Sequence, residues 1–153
     1  MKARGPRPDQ AEEARTAGHR GAIVAGFAYF GVVFCIGFAF GAIRSLVLAP
    51  LIGEVSAVCL EAPIMLAVSW LVCGWSTRQF GVGPDPMSRL AMGAIAFALL
   101  MAAEFGYASL IFARAPMSVL QTYRTLAGAI GLASQIGFAL IPLLRGRLSR
   151  APL

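Results

Sequence analysis

Residues 41–65 read GAIRSLVLAPLIGEVSAVCLEAPIM. The stretch closes one apolar segment with Arg44, turns through Pro50 and Gly53, and opens the next with Glu54. It then places Glu61 and Pro63 inside a run that is apolar on both sides. Runs of this length and composition cross membranes, so this is an integral membrane protein. An acid within a span is rare and costly and needs a reason. Pro63 cannot donate to the carbonyl of Cys59, so a helix kink is expected there.

Working outward, three further apolar runs complete an all-α, integral membrane four-helix transmembrane bundle. The spans read as residues 22–43, 55–75, 90–113 and 126–144. Each is long enough to cover roughly 30 Å of hydrocarbon at about 1.5 Å per residue. Composition agrees: 58% of residues are hydrophobic and 13% charged, against about 25% charged in soluble domains. The first run is too long for a signal-peptide core, so it reads as an uncleaved helix. The bundle occupies residues 21–147. It is preceded by a polar, basic tail (1–20) and followed by a short basic one (148–153). The N-terminal tail has almost no large apolar residue and cannot bury a core, so it reads as disordered or lying on the membrane, with a short helical turn near residues 9–17. Residues 45–53 read as an apolar connection that lies in the interface or dips back into the bundle. Residues 77–88, with the run GVGPDP, read as a polar loop.

Basic residues set the orientation. The N-terminal tail, the second loop and the C-terminal tail share one side and carry ten Lys and Arg, while Arg44, Arg114 and Arg124 occupy the other. That bias places both termini in the cytoplasm. The net charge of +6 is thus a matter of topology and anionic lipid, and no nucleic-acid partner is expected. The expected surroundings are the lipid bilayer, with another membrane protein or a second copy of the chain as lateral partner. Gly37 and Gly41 form a GxxxG pair, which supports close helix packing.

The same topology gathers the unusual residues in the outer half. Arg44, Glu54, Arg114 and Arg124 fall at the rim. Glu61 lies two turns below Glu54, about 10 Å deeper. Glu104 lies ten residues inside Arg114, and Gln135 eleven below Arg124. Tyr107, Gln121 and Tyr123 are placed to add hydrogen bonds. Three acids and three arginines make a neutral set, and such contacts hold membrane helices together. Alternatively Glu61 and Glu104 form a site, with the carbonyl freed by Pro63 beside it.

No cofactor or metal is expected. The three cysteines, Cys35, Cys59 and Cys73, are odd in number, show no CxxC and read as apolar packing residues. His19 is the sole histidine and lies in the tail, so no pair of histidines can hold haem and no serine has a histidine base. HExxH, GxSxG and phosphate-cradling loops are missing, which puts a membrane enzyme third among the readings. The first is a non-enzymatic accessory or scaffold protein acting through lateral helix contacts. The second is a small proton-linked transporter or ligand-binding membrane protein that uses Glu61 and Glu104. A weak two-plus-two pattern, Gly37-Phe38-Ala39 before Arg44 and Gly106-Tyr107-Ala108 before Arg114, is better ascribed to chance than to a duplicated hairpin.

The run GAIRSLVLAPLIGEVSAVCLEAPIML (41–66), followed by SWLVCGW (69–75) and RLAMGAIAFALLMAAE (89–104), resembles a group of small bacterial inner-membrane proteins with four predicted spans. The resemblance implies a four-helix fold and that membrane. It implies no activity and no site residues.

Overall fold

A computed structural model describes residues 8–112 and 120–149. Arg114 and the extreme ends of both tails lie outside the described residues. The elements are α1 (Pro8–Ile43), a π-helical turn (Arg44–Leu48), α2 (Ala49–Ile52), α3 (Glu54–Gln79), α4 (Pro86–Phe112) and α5 (Leu126–Leu148). Four helical segments are long and apolar enough to cross a membrane: Arg20–Ile52, Glu54–Gln79, Pro86–Ser109 and Leu126–Leu148. This is an all-α, multi-pass bundle.

Two segments differ from expectation. The polar stretch before the first span is helical from Pro8 onward and continuous with the span. Residues 45–52 are not a loop and do not dip back into the bundle. They extend α1 through the π-helical turn, in which the Ala49 N–H reaches the Arg44 carbonyl, and then through α2. Pro50 lacks the N–H that an unbroken α-helix would need, and the widened turn before it absorbs the loss. The chain reverses at Gly53 alone, whose φ of 84° suits a residue without a Cβ.

The other boundaries follow from their caps. Asp85 accepts a hydrogen bond from the Ser88 N–H at 3.0 Å, with Pro86 as the first residue of α4. Thr125 caps α5 by accepting from the Gly128 N–H at 3.1 Å. At the end of α3, Gly81 has φ of 62°, and the Val82 N–H bonds back to the Thr77 carbonyl at 2.9 Å. That is the Schellman closure, which satisfies an otherwise orphaned carbonyl.

Around the ring the helices run α1, α4, α5, α3. Helices α1 and α4 are therefore adjacent. A two-fold axis along the bundle relating two hairpins would put them on a diagonal, so packing gives the two-plus-two pattern no support. The half of the bundle that carries the termini is closed around Ala22, Ala25, Tyr29, Cys73, Met92 and Phe138. A Cβ at Gly26 would sit 3.0 Å from the Met92 carbonyl, and one at Gly93 would collide with the Ala139 carbonyl. Small residues thus bring α1, α4 and α5 into backbone contact here.

One bond crosses the diagonal. Pro142 lies inside α5 and has no N–H for the Phe138 carbonyl one turn earlier. The hydroxyl of fully buried Tyr29 donates to that carbonyl at 2.9 Å, and its ring stacks on Phe138 with centroids 4.5 Å apart. A tertiary contact replaces the helical hydrogen bond that proline removes.

At the same end, two arginines make structural contacts. Buried Arg89 donates to the carbonyls of Gly83 (2.9 Å) and Val82 (3.0 Å), tying the α3–α4 loop to α4. Arg145 donates to the Trp70 carbonyl at 3.1 Å and lies over the Trp70 ring. Gly74 leaves room for its guanidinium.

Candidate functional site: a cavity in the distal half

The other half of the bundle is not closed. A cavity of about 450 Å³ lies between the four long helices. Gly37 and Gly41 of α1 and Gly131 of α5 line it. A Cβ at Gly41 or Gly131 would meet nothing within 4 Å. Of the GxxxG pair, Gly41 therefore borders open space, while a Cβ at Gly37 would lie 3.2 Å from Met65 Cε of α3.

The cavity wall is mostly apolar, and two sets of paired polar side chains stand on it. The first joins α3 to the π-helical turn. Arg44 Nε lies 2.6 Å from Glu61 Oε2, with the two side chains 27% and 16% exposed. A pair so covered is stable only while both partners are present. The second joins α4 to α5 and its leading loop. Tyr123 donates its hydroxyl to Glu104 Oε2 at 2.7 Å. Gln135 donates its amide N–H to the other oxygen, Oε1. The remaining amide oxygen of Gln135 is buried without a partner.

Local packing aims Tyr123 at Glu104. A Cβ at Gly128 would collide with the Thr122 carbonyl and come 3.0 Å from Tyr123 Cα. The loop is thus pressed onto the first turn of α5. Partial burial, followed by the hydrogen bond to Glu104 and the charge of that carboxylate, raises the Tyr123 pKa above the ordinary phenol value.

Three expected site residues, Glu54, Arg124 and Pro63, stand apart from the two pairings. Glu54 lines the cavity rim, yet no described residue forms an ion pair with it. Arg124 is exposed and off the cavity wall; its backbone N–H bonds to the Gln121 carbonyl at 3.0 Å. Arg114 lies outside the described residues. Among the described residues, the expected single cluster of acids and arginines is instead one ion pair and one carboxylate held by neutral donors. The reason is register: α1 continues past Arg44, so Arg44 reaches Glu61 from within a helix, while Arg124 sits on the outward side of a short turn. Pro63 is exposed and off the cavity wall, and α3 continues through it as helix. The freed Cys59 carbonyl is therefore not part of this chamber.

An aromatic wall was not anticipated. Phe30, Phe34, Phe38 and Tyr107 line the cavity in sequence. Successive ring centroids are 5.2, 6.3 and 5.9 Å apart, the last contact edge-to-face. The spacing of Phe30, Phe34 and Phe38, one per turn of α1, was its available signal. Among the described residues no group of His, Cys, Asp and Glu is arranged to hold a metal ion.

Comparison with known proteins adds no precedent: no protein-family model, no curated protein and no solved structure matches the chain.

Proposed function

We propose that this multi-pass membrane protein binds a small molecule with an apolar body in the distal cavity, using Glu61 and Glu104 as polar anchors. One observation carries the proposal. Carboxylates from two different helices share one mostly apolar chamber of about 450 Å³. Binding sites for small molecules have that volume and that mixture of apolar wall and few polar groups. In function the protein is a small proton-linked transporter or a ligand-binding protein. It belongs to the bacterial inner membrane, and its Lys and Arg distribution supports cytoplasmic termini with the cavity in the outer half.

Accessory action through lateral contacts is the competing proposal. The exposed apolar faces, such as those of Phe27, Leu46 and Leu71, would be covered by lipid equally well, so they do not favour it. Native mass in lipid particles separates the two. The expected result is the chain, alone or with copies of itself, carrying a small molecule that a Gly41→Leu/Gly131→Leu variant no longer carries. Recovery with another protein in fixed ratio and no small molecule would favour the accessory role.

A further inference from the structure

Among the described residues, the charges on the cavity wall do not balance. Glu54, Glu61 and Glu104 line it, and Arg44 is the single basic residue among the described residues that does. Arg44 is engaged with Glu61. Glu104 receives two hydrogen bonds, from the Tyr123 hydroxyl and the Gln135 amide. Both donors are neutral. They fix the orientation of the carboxylate and bring no positive charge. A carboxylate away from water is strongly favoured by a nearby cation.

The adjoining wall is suited to the same kind of guest. The Phe30, Phe34, Phe38 and Tyr107 rings form a continuous aromatic surface. Ring faces carry negative electrostatic potential and attract cations, organic ammonium groups included. They repel anions and give neutral guests no such electrostatic gain. Carboxylate and rings therefore select in the same direction.

We infer that the ligand is an organic monocation with an apolar body, its charge held by Glu104 and its body against the aromatic wall that α1 and Tyr107 of α4 form. This rests on the cavity being a binding site, as proposed above.

Three probes of similar shape test the inference: benzyltrimethylammonium, its uncharged carbon isostere neopentylbenzene, and phenylacetate. Equilibrium binding of each is measured to the full chain in lipid nanodiscs, with protein-free nanodiscs as the blank. Benzyltrimethylammonium is expected to bind at least tenfold more tightly than neopentylbenzene, and phenylacetate more weakly than both. Glu104→Gln keeps the size of the side chain and is expected to bring the cation to the level of the neutral probe. Neutral binding equal to or tighter than the cation, or a preference for phenylacetate, overturns the inference and leaves the cavity a binding site. A cation preference that survives Glu104→Gln overturns the role of Glu104. Absence of all three above the blank overturns both the inference and the cavity reading. Should Glu104→Gln fail to fold, the wild-type ranking decides, and Phe34→Leu is expected to weaken the cation several-fold more than the neutral probe.

Discussion

Tyr29→Phe removes one hydroxyl and leaves the stacked ring in place. The lost bond is the one to the Phe138 carbonyl, 2.9 Å away. Interhelical hydrogen bonds in membranes average only about 0.6 kcal/mol and reach about 1.7. The average is low because dissociated helices in the bilayer find other partners. This acceptor has no such alternative within its own helix. Pro142 denies it the usual N–H whether or not the helices are packed. The cost should therefore fall near the upper end, about 1.5 kcal/mol. Restoring the donor with Pro142→Ala supplies the comparison. In that background Tyr29→Phe should cost about 0.5 kcal/mol or less, a coupling of about 1 kcal/mol in the double-mutant cycle. Reversible unfolding in bicelles, read by steric trapping, gives the four stabilities required. An equal cost of Tyr29→Phe in both backgrounds would refute the reasoning, since the bond would then owe nothing to the proline.

Glu61→Gln should destabilise the fold by about 1–3 kcal/mol by leaving Arg44 unpaired. Replacing both residues by leucine should cost less than the single change; unfolding of the two variants checks the order. Gly93→Ala should cost more than about 2 kcal/mol, because its Cβ would meet the Ala139 carbonyl in the helix backbone. Gly131→Ala, with open space before it, should leave the melting temperature nearly unchanged. For Tyr123 the folded state holds the proton more tightly than the unfolded state. Its contribution to stability is thus complete below the ordinary tyrosine value near 10 and is lost as pH rises through the higher folded value. Tyr123→Phe should flatten that alkaline decline in stability against pH.

Much of the fold can be read from the sequence because spanning hydrocarbon demands long apolar runs and leaves few alternatives. The first connection was harder. Residues 45–52 are apolar, and Pro50 looks like the mark of a turn. A proline is also tolerated where a widened turn has already given up the bond it cannot make. Only Gly53, with its positive φ, had to reverse the chain. Within the site, helical spacing was enough to gather Glu104, Gln135 and Tyr123 in one half of the bundle. Spacing does not say which arginine meets which acid. That depended on Arg44 remaining in a helix beyond Ile43. Nor does it show empty space: Gly41 reads as a packing glycine, yet it and Gly131 border the cavity. Arg89 and Arg145 were legible as topological charges. Their roles as staples depend on loop carbonyls and on the gap at Gly74, which only the packed bundle supplies.

The central claim is that the distal chamber admits a small apolar molecule to its carboxylates. Dicyclohexylcarbodiimide, an apolar reagent that modifies carboxyl groups, tests it in intact lipid particles. Mass mapping of the labelled protein should find the adduct on Glu61 or Glu104 in the wild type, and Gly41→Leu/Gly131→Leu should suppress it. Absence of an adduct from both residues, or labelling that filling the chamber leaves unchanged, would contradict the account.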